Sequence, residues 1–362
     1  MPGLIGPQEH YATWPARAPA EAELRRNLYG GVTGVRDMAG DARALADLSR
    51  AALINEIPSP DIYYGALVAG PSFFEDPRTQ SSSLGLKSGD VPWLYAVTEK
   101  SDLAAVIAQA RGTGATGLKI YANLPGELVR NLITAARQRG FPVWTHQQVY
   151  PATPYDSLGA TSVSHVCMVA RYIREPGKQS YGHSKEPSYA GLTAADPGIV
   201  NYIAAMARSG TMMDATLGVY QPQKNPVGTP KPSTRCPITL AGGITRAMHA
   251  AGVPILTNTN ADTDENNPWP ALHAELEALV QHGGLTPFEA IVTATRNAAT
   301  ALGKAGDFGT LAPGKYASMV LLKRDPTADI RNVQSIVMTI KRGNRFPREG
   351  YQHRAIPVQP DF

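Results

Sequence analysis

An α/β fold, a distorted and closed (β/α)8 TIM barrel carrying a small, incomplete β-sandwich appendage, is predicted by three features of this sequence. Helical stretches rich in Ala and Leu end at a glycine and are followed within a few residues by a short run of branched or aromatic residues. About eight such units over roughly 300 residues match one barrel in number and size. The long polar linkers at 71–92, 171–191 and 220–237 each follow a predicted strand, where a barrel gathers its functional loops. No Gly-x-Gly-x-x-Gly turn follows the first strand, so an open, doubly wound sheet with a dinucleotide site finds no support.

The elements follow in order. Residues 15–29 read as a helix stopped by Gly30-Gly31, and Thr33-Gly34-Val35-Arg36 as a strand. Asp41 is placed to cap a second helix running to position 56. A Gly-rich turn at 111–116 leads into the strand Gly117-Leu118-Lys119-Ile120-Tyr121. Helices at 127–139, 201–209 and 244–251 each end at a glycine and lead into strands at 142–146, 211–216 and 254–257. After a helix at 286–302, three short stretches at 309–311, 316–322 and 333–341 read as antiparallel strands joined by Pro-Gly and Asp-Pro turns. The expected division is a barrel over 1–303, the appendage over 304–345 and a tail over 346–362.

Hydrophobic residues at 43% and charged residues at 18% describe an ordinary globular chain. A formal charge of +4 over 362 residues is too weak to imply a nucleic-acid partner, and its basic bias lies largely at 341–348. No apolar run is long enough for a membrane span, and the start lacks the regions of a signal peptide, so a cytoplasmic location is expected. Cys167 and Cys236 form no framework or metal motif and are expected to be reduced thiols.

Lys119 is the residue that needs explaining. An ammonium in the middle of an apolar strand must snorkel, find a carboxylate or lose its charge. His146, His165 and Asn260 also stand at predicted strand ends, which converge on one face of a barrel, and imidazoles there are plausible metal ligands. Tyr121 ends the Lys119 strand, and Tyr172, Tyr181, His183, Tyr189 and Tyr220 lie in the linkers as candidates for contact with a ligand.

In these segments the chain resembles the amidohydrolase superfamily, particularly its imidazolonepropionase-like and prolidase-like members. The resemblance is carried by Pro2-Gly3-Leu4-Ile5, by 31–37, by 117–121, by Val143-Trp144-Thr145-His146 and by Ser164-His165. It continues through Leu272-His273-Ala274-Glu275-Leu276 and, most specifically, through Ala294-Thr295-Arg296-Asn297-Ala298-Ala299 and 309–315. It implies a barrel holding one or two divalent metals, often zinc, bridged by a carbamylated lysine. Carried over, Lys119 would be the carbamate and His146 and His165 the ligands of one metal, with His10 left to the other. The same resemblance gives Asn260, His165 and Lys119 the catalytic positions; by their places on strands and linkers, Gln8, Tyr121, Tyr172, His183 and Tyr220 are the expected substrate-facing residues.

Two departures fall on a single metal. Where the family writes a His-x-His pair this chain has Gln8 and His10, and where it closes on Gly-Thr-Asp this chain has Asn258-Thr259-Asn260. An amide oxygen is a much poorer zinc ligand than imidazole, and asparagine takes no proton from water. One bound metal is therefore expected rather than two, with none as the alternative. Asp262, Asp264 and Glu265 are candidates for a displaced carboxylate, against the plainer reading of a polar loop. The expected function is hydrolysis of a carbon–nitrogen bond in a small amide, cyclic amide or dipeptide-like substrate. A lyase, cyclase or isomerase on the same barrel and a catalytically silent binding protein are the alternatives. The expected partner is that small molecule, with no nucleic acid or membrane. An incomplete appendage exposes an edge that invites pairing in a homo-oligomer, with a truncated or reduced relative of the family as the alternative expectation.

Overall fold

A computed structural model describes residues 1–147, 149–176, 187–221, 236–260 and 266–353. Eight parallel strands pair in chain order: β1 (Leu4–Glu9), β2 (Val32–Asp37), β3 (Asp61–Ala69), β4 (Gly117–Ile120), β5 (Val143–His146), β6 (Ser162–Ser164), β7 (Met212–Asp214) and β8 (Ile255–Leu256). Helices α1 (Arg17–Tyr29), α2 (Ala42–Leu53), α3 (Leu103–Gly112), α4 (Gly126–Arg137), α5 (Met168–Arg174), α6 (Pro197–Ser209), α7 (Ile238–Ala250) and α8 (Ala271–Gln281) lie between or after them. Caps fix the starts of several: Asp41 accepts from Arg43 N, Asp102 from Ala104 N and Asp196 from Gly198 N.

Among the described residues β8 and β1 share no ladder. The sequence 286–302 reads as one helix, yet it folds as α9 (Pro287–Val292), a π-helical turn at Thr293–Asn297 and α10 (Ala298–Ala301). The π turn packs against both β1 and β8 and fills the gap between them. From it Asn297 Nδ2 donates to the Ile255 carbonyl at 3.0 Å, which satisfies an acceptor that a ladder would otherwise have used.

Inside the curl, Trp144 forms a floor with Ile5, Met38, Tyr63 and Phe308, and its Nε1 donates to the Ala301 carbonyl at 2.9 Å. A Cβ at Gly117 would lie 2.4 Å from this indole, so β4 can pass the ring only as glycine. That requirement explains why the strand carrying Lys119 begins with a residue of poor strand propensity.

The appendage is a three-stranded antiparallel sheet of β9 (Met319–Leu322), β10 (Ile336–Lys341) and β11 (Asn344–Pro347). The start of the chain joins it, with Val320 N donating to the Met1 carbonyl and Gly3 N to the Ser318 carbonyl. The expected strand at 309–311 is absent. Gly309 has φ +90°, and Lys315 Nζ donates to Thr310 Oγ1 at 2.8 Å and to the Ala305 carbonyl, which holds the segment as a looped turn.

The expectation of reduced thiols is overturned. Cys167 and Cys236 form a disulfide with Cα atoms 6.3 Å apart, a pairing that two cysteines 69 positions apart do not announce in sequence. Among the described residues no helix is long and apolar enough to cross a membrane.

Candidate active site

The strand register sets the site. Lys119 pairs with Trp144, so both point inward, and two residues further on His146, Ser164 and Asp214 occupy one row across β5, β6 and β7. His165 follows Ser164 and would face outward by strand alternation. Its φ of +74° redirects it, and Thr216 (+51°) and Asn260 (+63°) leave β7 and β8 in the same left-handed region. Each such non-glycine residue costs about 1–3 kcal/mol and persists only where its surroundings impose it.

Lys119 is 1% exposed and its Nζ has no hydrogen-bond partner among the described residues. Burial, reinforced by the Arg36 charge and opposed by Asp214, pulls its pKa down to about 7. Nζ lies 5.7 Å from the ring centroid of Tyr121. That ring meets His146 edge-on at 4.3 Å, and His146 meets His165 at 4.7 Å. Burial, then the charges of Lys119 and His165, hold His146 well below the usual histidine range, which leaves a neutral imidazole. His165 Nδ1 is 3.0 Å from Thr216 Oγ1, which turns the other ring nitrogen away from that hydroxyl.

His10 follows β1. Burial, then Lys119 and Arg78, bring its pKa to about 4 against a side-chain hydrogen bond with Asn260 that raises it. The sign is direct: a histidine with lowered pKa stays neutral until the pH falls through that value. The ring of His10 should therefore show no protonation down to about pH 5 when followed by NMR. A midpoint near the ordinary 6.5 would mean that solvent reaches it freely.

The opposite wall is a network of amides. Gln8 Oε1 accepts from Ser164 Oγ at 2.7 Å and from Asn258 Nδ2 at 2.9 Å, while Gln8 Nε2 donates to Asn260 Oδ1. Asn258 Nδ2 also donates to Asp214 Oδ2, and the Arg36 guanidinium lies 3.7 Å from the same oxygen. Burial raises Asp214 to about 7 despite Arg36, Asn258, Lys119 and Ser164. Arg36 is fully buried over the face of Trp144, 4.4 Å from the ring centroid.

This wall does not suit a metal. Its two amides satisfy one another and its carboxylate faces a fixed cation. Among the described residues no group of three or more His, Cys, Asp or Glu side chains is placed to hold an ion. The Lys119 side does suit one: it offers two adjacent imidazoles and an amine without a hydrogen-bond partner among the described residues.

Of the remaining candidates, Tyr121 packs against His146, whereas Tyr172 lies on α5 near Tyr155. Tyr220 is buried, and its hydroxyl accepts from Cys167 N at 3.3 Å. His183, Tyr181 and residues 262, 264 and 265 lie outside the described residues. Asp214, Arg36, Ser164 and Asn258 stand in segments that the sequence offers, but it assigns none of them a role in the site. The available signal for Asp214 was a carboxylate closing the apolar strand Met212-Met213, at the end where a barrel places its chemistry.

Residues 244–346 match the model of the amidohydrolase family. An imidazolonepropionase of Ralstonia nicotianae is 31% identical over 206 residues, a stretch covering 57% of this chain and 40% of that relative. The chain thus matches less than half the length of this curated relative. The crystal structure of A. niger ochratoxinase superposes with TM-score 0.71 at 19% identity, covering 98% of this chain and 84% of that one. A Xaa-Pro dipeptidase with bound methionine gives 0.68 at 17%, covering 96% and 86%. By these matches the chain is similar to proteins of the amidohydrolase superfamily. Gln8 and Asn260, where the sequence departs from the family pattern, hydrogen-bond to each other in the amide wall.

Proposed function

We propose that this chain hydrolyses carbon–nitrogen bonds in small amide, cyclic amide or dipeptide-like substrates, with one divalent metal, zinc by family resemblance. Lys119 as its carbamate, His146 and His165 would hold that ion. When bound it would supply Lewis-acid activation of a carbonyl and of water. The observation that carries the reading is Lys119 itself: fully buried, without a hydrogen-bond partner among the described residues, and on the strand paired with that of His146, whose ring meets His165. An unpaired amine costs about 1–3 kcal/mol at such a site, and conversion to a two-oxygen anion removes the orphan donor.

The chain's other groups have narrower tasks. Tyr121 fixes the His146 ring by its edge contact. His10 and the Gln8–Asn260 amide pair offer neutral hydrogen-bonding groups to orient a substrate. Asn260 cannot carry a proton, and the carboxylate nearest to it in the network is Asp214, one amide away through Asn258. Loss of a well-placed general base removes about 10² to 10⁴ in rate, so turnover should be slow.

The amide wall also favours a second reading, a non-hydrolytic lyase, cyclase or isomerase using the imidazoles for proton transfer. Metal analysis separates the two. Protein prepared with zinc and bicarbonate should hold about one ion per chain, and Lys119→Ala should hold none. A wild-type chain that retains no metal yet turns over a substrate would replace the first reading by the second.

A further inference from the structure

Glu275 lies on α8, is 1% exposed, and has no salt bridge among the described residues. Burying a carboxylate in this way is costly unless strong hydrogen bonds meet it. Two do: Leu217 N donates to Oε1 and Gly218 N to Oε2, each at 2.6 Å. These N–H groups open the short turn Leu217–Tyr220, so a carboxylate from a distant helix caps a turn that has no capping side chain of its own. A Cβ at Gly218 would stand 3.2 Å from Oε2, tighter than ordinary contact, and glycine there lets the carboxylate close on the backbone.

Both ends of this turn reach the loop that bears His165. At its start Thr216, in the left-handed region, sets its hydroxyl 3.0 Å from His165 Nδ1. At its end the Tyr220 hydroxyl accepts from Cys167 N, two residues after His165. His165 itself holds a strained φ of +74°, and a strained residue needs such support from outside its own strand.

We propose that Glu275 is a positioning residue for the His165 imidazole, acting through the Leu217–Tyr220 turn and the Thr216 hydroxyl to fix the tautomer and direction of the ring. The proposal deepens the reading above and rests on it for the role of His165 as a ligand. Neither Glu275 nor Thr216 touches the reacting atoms in this account. Each acts on a group that does.

The test uses the full chain, labelled with ¹⁵N and free of metal, and follows the His165 ring nitrogens by long-range ¹H–¹⁵N NMR in Thr216→Val and Glu275→Gln. Both variants should move the His165 Nδ1 resonance toward a mixture of tautomers. His273, whose Nε2 contacts the Gly30 carbonyl at 2.8 Å, should not move. Zinc affinity should fall by about 10- to 100-fold in both. Should Glu275→Gln fail to fold, Glu275→Asp withdraws the carboxylate by one methylene and is read in the same way.

An unmoved His165 ring in Thr216→Val overturns the proposal. So does a ring that responds to Thr216→Val but ignores a folded change at Glu275, which would leave the carboxylate a purely structural cap. If the wild type takes up no zinc, the functional reading falls, and the ring measurement still decides the part played by Glu275.

Discussion

Replacing Asp214 with leucine should lower the free energy of unfolding by about 3–5 kcal/mol, the cost of leaving a buried charge without its counter-charge. Arg36 and Asp214 are both fully buried, 3.7 Å apart, and the guanidinium nitrogens have no hydrogen-bond partner among the described residues. The Trp144 face at 4.4 Å gives a cation–π contact worth about 0.5–2 kcal/mol, which does not compensate for a lost anion. The pair is thus expensive to break and much less expensive to remove whole. Arg36→Met with Asp214→Leu replaces both charges by apolar groups and should recover most of the loss, short of the hydrogen bonds that Ser164 and Asn258 give to Asp214. Urea unfolding of the two single variants and the double gives the coupling energy, expected at about 2 kcal/mol or more. Additive losses would mean that the two charges are compensated separately.

Lys119 is legible in the sequence because its chemistry conflicts with its local context: an ammonium in an apolar strand demands a special explanation wherever it occurs. The strand ends carrying His146 and His165 were legible because helix-glycine-strand alternation is a local pattern and the barrel turns it into proximity. Asp214 and Arg36 were not, since each reads as a common polar residue near a strand end, and only the closed curl brings β2 and β7 within ion-pair distance. The same reason hid the Cys167–Cys236 bond. The π turn was hidden differently. Residues 286–302 have unbroken helical composition, and the extra residue in the turn answers a tertiary demand, the unpaired Ile255 carbonyl on β8, that no local propensity encodes. Glu275 lay in a segment the sequence reading had singled out, yet its task depends on a turn with no sequence signature of its own.

The double change Gln8→His with Asn260→Asp should raise zinc uptake from about one ion per chain towards two, and each single change should not. The wall is a closed set of hydrogen bonds in which the Gln8 amide donates to Asn260 and accepts from Ser164 and Asn258. Changing Gln8 alone leaves Asn260 without its donor, and changing Asn260 alone sets a new carboxylate against the amide network. Each should cost about 1–3 kcal/mol without completing a ligand set. Together they introduce an imidazole and a carboxylate where two amides met, next to His10, and three such donors are the minimum for a zinc site with an open position. Burial favours the metallated form, because an anionic carboxylate at this depth is stable only if a cation meets it. A restored base should also return about 10² to 10⁴ in rate on any amide that the wild type turns over slowly. Metal content measured beside activity on N-acyl amino acids and dipeptides separates the two effects. A double variant that is folded, no richer in zinc and no faster would show that Gln8 and Asn260 do not occupy the ligand positions, and that the amide wall has another purpose.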